Sequence, residues 1–200
     1  MSQGFKERVE ELSRIGAETV RKAMLLAILA KELRQRGARE PLLVGGFAVE
    51  LYTAGSYASR DLDIKGPFEE IRALLLDAGF EQLGRVFMHK RLGFYVDWLG
   101  EGPEYPFEDR GRFLDVLVKE PDFSIKVIGY EDIILDRLRG AKFQSDPNGL
   151  LWAVAMGKAA ISSGQGLDWP YLTQRAAEED VLDMLATLRQ AVQGVGDDHP

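Results

Sequence analysis

Cysteine is missing from all 200 residues, which excludes disulfides, thiolate metal sites and cysteine nucleophiles and suits a chain kept in a reducing cytoplasm. Long hydrophobic runs are missing too. The longest helical one, Ala23 to Ala30, falls far short of the ~18 residues that a membrane span needs, and the opening Met1–Glu11 is polar and mixed in charge, unlike a secretory leader. A soluble protein with no membrane partner is therefore expected. Basic excess is also lacking: Lys and Arg number 25 against 32 Asp and Glu, a formal net charge of -7. The surface as a whole is no magnet for nucleic acid, so any such contact has to be local. Repeats and low-complexity tracts are absent as well, which leaves periodicity and punctuation to define the organisation.

With 46% hydrophobic residues, the chain can bury one sizeable core, or a compact domain with a small helical appendage. Residues 17–36 place Val20, Met24, Ala27 and Ile28 on one stripe and stop at Gly37, which predicts a long first helix. Leu42-Leu43-Val44 then reads as a short strand running into Gly45-Gly46, after which Phe47 to Tyr52 starts a helix. Asp61-Leu62-Asp63-Ile64 alternates, both carboxylates on one face and both apolar residues on the other. A helix over 68–79 follows, and the sheet is expected to resume over Leu92–Leu99, where Phe94, Val96 and Trp98 oppose Tyr95 and Asp97. Phe113–Val118 and Ile125–Ile128 are further strand candidates, and beyond Tyr130 the periodicity is helical to the end. The fold class expected is α+β, a small mixed sheet flanked by helices with a helical C-terminal part. Its parts would be an N-terminal helical segment over 1–40, an α/β core over 41–130 and helices over 131–200.

Two carboxylates at i and i+2 on one strand face repel each other unless a cation or strong hydrogen bonds compensate. Magnesium prefers hard oxygen ligands and takes a few carboxylates while phosphate oxygens complete its shell, so Asp61 and Asp63 suit a nucleoside triphosphate site. Gly45 and Gly46 add a second element, since backbone N–H groups at a helix start can approach phosphate where the local dipole favours negative charge. Taken singly, a glycine pair is more often a tight turn and an Asp-x-Asp more often a solvated edge strand.

Together, Leu42 to Ala48, Tyr52 and Ser59-Arg60-Asp61-Leu62-Asp63-Ile64 stand in the order and spacing of one family. The chain resembles the minimal nucleotidyltransferases of the DNA polymerase β-like superfamily, and within it the bacterial branch that includes abortive-infection toxins, where a stretch like Val127 to Leu138 recurs. The resemblance runs from Leu42 through the C-terminal helices. It implies that Gly45, Gly46 and Ser59 bind a nucleoside triphosphate, that Asp61 and Asp63 bind Mg2+ or Mn2+, and that a third acid completes the metal and catalytic set. Asp97 is the expected third acid because its alternating strand is longer than that around its competitor, Asp115. The resemblance further implies transfer of a nucleoside monophosphate to a hydroxyl on RNA, a protein or a small molecule, and a cognate toxin or antitoxin partner. A second reading keeps the fold without the chemistry: a catalytically silent binding or antitoxin-like module.

Other conspicuous residues invite plainer readings. Arg21, Lys22, Lys31, Arg34, Arg36 and Arg39 surround the first helix and read as an ordinary solvated face rather than a nucleic-acid contact. His89 and Lys90 either neutralise phosphate charge or merely cap a turn, Trp98, Trp152 and Trp169 read as core, and Arg137 as the partner of a local carboxylate.

Overall fold

A computed structural model describes residues 4–102, 112–115 and 123–193, with 112–115 described by backbone alone. The chain divides at Ile128/Gly129 into two compact units.

The first unit is built around helix α2 (Glu18–Gln35). Its apolar run is buried on all sides, with Leu25, Ala27, Leu29, Ala30 and Leu33 shut off from solvent. The helix ends in a Schellman motif: Gly37 takes φ 71°, Ala38 N–H donates to Leu33 C=O and Gly37 N–H to Arg34 C=O. A shorter helix, α1 (Phe5–Glu11), packs on α2 and on the helix over Phe68–Asp77, with Phe5 and Val9 buried. Strand β1 (Leu42–Val44) leads without a loop into α3 (Gly45–Tyr52), and β2 (Leu62–Lys65) is followed by α4 (Phe68–Asp77). Next come β3 (Glu81–Leu83), β4 (Val86–His89), β5 (Phe94–Trp98), β6 (Arg112–Asp115) and β7 (Ser124–Val127).

These seven strands form one mixed sheet in the order β3-β4-β5-β2-β1-β7-β6. Strand β2 runs antiparallel to β1 and parallel to β5, and β1 runs parallel to β7. One set of alternate residues, Leu43, Leu62, Ile64, Phe87, Phe94, Val96, Ile125 and Val127, is buried. Helix α2 packs on β7 and α4, while α3 packs on β1 and β2. Each such aliphatic or aromatic side chain contributes about 1.5–3 kcal/mol by leaving water. The other set, which includes Asp63, Tyr95 and Asp97, is half-buried or exposed except in β1, where Leu42 and Val44 are buried on that face as well.

The architecture is the α+β class read from the periodicity. The strand expected from Asp61 begins one residue later, at Leu62, and the strand expected over 113–118 is β6, its residues beyond 115 lying outside the described part. The β3–β4 hairpin was not anticipated. Its three-residue first strand carries only one large apolar side chain, Leu83, which points out at 85% exposure, so there is no alternation to read.

The second unit holds α5 (Tyr130–Phe143), α6 (Gly149–Ser162), α7 (Trp169–Glu178) and α8 (Leu182–Gln193). Its core is made by Leu138, Ala153, Met156, Ala160, Leu172, Ala176 and Leu188. Helix α6 approaches α5 closely because Gly149 has no side chain: a β-carbon there would lie 2.5 Å from Arg137 O. Among the described residues no helix is long and apolar enough to cross a membrane.

Candidate active site

The site begins where β1 turns into α3. Gly45 takes φ 64°, a left-handed conformation that L side chains avoid. It also makes room, because a β-carbon there would lie 2.0 Å from Asp63 Oδ2 and 2.7 Å from its Cγ. The next amide, Gly46 N–H, donates to Asp63 Oδ2 at 3.3 Å. The Asp63 carboxylate is thus seated against the N-terminus of α3, where helix dipole and N–H donor both favour negative charge. Gly46 makes a second close approach: its β-carbon would meet Ser59 Oγ at 2.8 Å and the Tyr57 ring at 3.2 Å. The two glycines therefore admit two different parts of the chain, one the carboxylate and one the segment before it.

Asp97 is the register partner of Asp63 across the parallel β2–β5 pair. Neighbouring strands lie about 4.8 Å apart, so two acids side by side on one face need a positive charge between or beside them. Arg85 supplies it: Nε lies 2.9 Å from Asp97 Oδ1 and Nη2 donates to Oδ2 at 3.1 Å. The Arg85 side chain is 63% exposed and that of Asp97 19%. Asp97 Oδ1 is shut off from solvent and receives no aligned hydrogen bond, close as the guanidinium is. Asp61 stands exposed just before β2, its backbone carbonyl accepting from Ser59 Oγ at 2.9 Å. Asp115 pairs with Ser124 on the far edge strand. With β7 and β1 between β6 and β2, it stands three strand spacings, about 14 Å, from the Asp63 strand.

Two buried charged residues, one read from the sequence as solvated and the other not singled out there, hold the segment that precedes these acids. Lys22 was grouped with the solvated basic residues, yet it is 2% exposed, and Glu50 on α3 is 5% exposed. Both hold the backbone of Ser59: Lys22 Nζ donates to its carbonyl at 2.6 Å, and Glu50 Oε2 accepts from its N–H at 2.8 Å. The available signal was position, since Lys22 falls one turn before Leu25 and Leu26 and Glu50 ends the apolar run Phe47-Ala48-Val49. Of the remaining basic residues Arg34, Arg36 and Arg39 are exposed as expected, whereas Arg21 and Lys31 are half-buried, Arg21 with its guanidinium 6.0 Å from the Phe94 ring centre. Arg34 pairs with Glu40 and Arg36 with Glu32, Arg39 donates to the Glu101 and Gly102 carbonyls, and Lys31 lies 4.6 Å from the Phe123 ring centre. His89 is buried and closes the β4–β5 turn, accepting from Leu92 N–H at Nδ1. Lys90 pairs with Glu81, Trp98 Nε1 donates to Gly66 O, and Arg137 pairs with Asp136.

The donor set is one of hard oxygens, and a buried Asp97 oxygen without an aligned hydrogen bond beside Asp63 fits a divalent cation shared by that pair. Among the described residues, however, no three or more His, Cys, Asp or Glu side chains are drawn together closely enough to hold a metal ion. The fit is therefore that of a pair, with Asp61 adjoining in sequence rather than gathered in.

No family model matches the chain, and neither does any curated protein. Solved structures do. ANT(2'')-Ia in complex with adenylyl-2''-tobramycin aligns at 18% identity and a TM-score of 0.48, over 84% of this chain and 97% of that one. The solution structure of the same antibiotic-resistance factor aligns at 16% identity and 0.46, over 96% and 100%. An antigenic nucleotidyltransferase-like protein from Paracoccidioides brasiliensis aligns at 14% identity and 0.49, over 86% and 96%.

Proposed function

We propose that this chain is a metal-dependent nucleotidyltransferase that moves a nucleoside monophosphate from a nucleoside triphosphate to a hydroxyl acceptor. The observation that carries the reading is the in-register pairing of Asp63 with Asp97 at the strand end where Gly45 and Gly46 open α3. Asp63 and Asp97, with Asp61 adjoining, would hold Mg2+ or Mn2+, which when bound neutralises charge on the attacking and leaving oxygens. Gly45, Gly46 and Ser59 would line the triphosphate, offering backbone N–H groups and a hydroxyl to phosphate oxygens. Asp97 would accept the proton of the acceptor hydroxyl as its oxygen bonds to the α-phosphorus and the bond to pyrophosphate breaks. RNA ends, protein hydroxyls and small molecules all remain within the proposal as acceptors, because fold alone does not choose among them. Membership of the abortive-infection branch, a toxin or antitoxin partner and a cytoplasmic setting are part of the same proposal and are read from Val127 to Leu138 and from composition.

Incubation with each labelled triphosphate and Mg2+, alongside total RNA and lysate, tests activity and acceptor together. Label retained on RNA, protein or a small molecule supports the reading, and no retained label with any triphosphate overturns it. A second reading has its own support. Asp97 is taken by Arg85, and Gly46 N–H is taken by Asp63. A catalytically silent module would keep such internal pairs, and would bind triphosphate without transferring label.

A further inference from the structure

Asp61 and Asp63 can serve a site only if the chain enters β2 at a fixed height and rotation, and Ser59 is where that is decided. Its N–H donates to Glu50 Oε2 at 2.8 Å and its C=O accepts from Lys22 Nζ at 2.6 Å. Its hydroxyl donates forward to Asp61 C=O at 2.9 Å, and its Oγ packs where Gly46 has no side chain. The two charged groups come from different helices, α2 and α3, and both are nearly closed to solvent. Burying a charge costs several kcal/mol unless it is paired or fully hydrogen-bonded. Here both are. Glu50 Oε1 accepts from Thr19 Oγ1, and Lys22 Nζ also reaches Glu18 Oε1 at 2.6 Å and lies 5.8 Å from the Phe47 ring centre. A plain apolar contact would cover the same surface but could not fix the rotation of one peptide, as a donor and an acceptor applied to its two ends can.

We infer that Lys22 and Glu50 are positioning residues, a two-helix clamp on Ser59 that sets the aim of Asp61 and Asp63. The inference rests on the proposed function for its purpose, though not for its geometry. Glu50 acts through its two acceptor oxygens rather than through its charge. A glutamine can keep Ser59 N–H on its carbonyl oxygen and turn its NH2 to Thr19 Oγ1, whereas leucine can do neither.

The test compares wild type with Lys22→Met, Glu50→Leu and the conservative Glu50→Gln by amide hydrogen exchange and by Mn2+ titration. In Lys22→Met and Glu50→Leu, exchange at residues 59–63 should speed up tenfold or more. The amide of Ile128, bonded to Leu43 on the far side of β1, should keep its protection. Mn2+ affinity should fall at least fivefold in both, and Glu50→Gln should stay within twofold of wild type on both measures. Unchanged exchange at 59–63, or an equal loss across the whole sheet, overturns the clamp, as does Glu50→Gln behaving like Glu50→Leu. If wild type itself binds no Mn2+, the functional reading fails, and the exchange pattern still decides the clamp.

Discussion

Replacing Gly45 with alanine probes the contact on which the candidate site turns. At φ 64° an L residue is strained by about 1–2 kcal/mol. Alanine recovers about 0.4–1 kcal/mol through the less flexible unfolded chain. Were that all, the change would be almost neutral. The added methyl also falls 2.0 Å from Asp63 Oδ2, 2.7 Å from Cγ and 2.8 Å from Cβ, so the carboxylate must leave its seat, an overpacking cost of about 1–3 kcal/mol. The expected destabilisation is about 1–4.5 kcal/mol. The assay is urea unfolding followed through Trp98, with Trp152 and Trp169 changed to Phe so that the signal comes from the first unit. A double-mutant cycle with Asp63→Ala isolates the contact, because removing Oδ2 and Cγ should relieve about 1–2 kcal/mol of the Gly45→Ala cost. Coupling below about 0.5 kcal/mol, the range of independent sites, would mean that Gly45 serves only the turn.

Asp97→Asn should fold as wild type and retain triphosphate binding while transfer falls about a hundredfold or more, as for loss of a positioned base; Asp115→Asn is the control, and a loss of transfer in it alone would move the site to β6. Arg85→Ala should change stability by less than about 1 kcal/mol, since its pair with Asp97 is largely exposed on the arginine side, and should tighten Mn2+ binding severalfold by calorimetry; weaker binding would make Arg85 part of the ligand site instead. Burial, helped by nearby Arg91 and opposed by Glu10, holds the His89 imidazole below its ordinary value of about 6.5. The unfolded chain then takes the proton first, so stability is complete above about pH 6.5 and falls as pH drops through the lowered folded value. His89→Asn, which can keep the Leu92 N–H acceptor, should flatten the change in unfolding free energy between pH 7.5 and 5.5, and an unchanged slope rules out His89 as its source.

The parts of the fold that were legible are those where one periodicity runs long enough to show. Phe94 to Trp98 alternates over five residues and was read with its faces correctly divided. Gly37 and Gly79 marked helix ends because left-handed caps need glycine. The β3–β4 hairpin escaped because three and four residues with charged flanks leave no period to detect. At the site, Asp61, Asp63 and Asp97 could be named from their strands, but their register could not. That Asp63 faces Asp97 follows from a parallel pairing between strands separated by a helix and a hairpin, a non-local fact that alternation does not encode. Lys22 was misjudged for a related reason. Charge predicts exposure on average, and the burial of Lys22 is made tolerable by Glu18 one turn earlier together with the Ser59 carbonyl arriving from elsewhere in the chain, which periodicity does not reveal.

The bond from Gly46 N–H to Asp63 has a thermodynamic reach beyond its own length. It occupies at once a donor that a phosphate would want and a carboxylate that a cation would want. An acid drawn onto a cation releases the amide, and an amide drawn onto phosphate releases the acid. Either event removes part of the cost of the other. On the proposed reading the two ligands therefore bind with positive linkage, and reciprocity requires that cation raise triphosphate affinity by the same factor that triphosphate raises cation affinity.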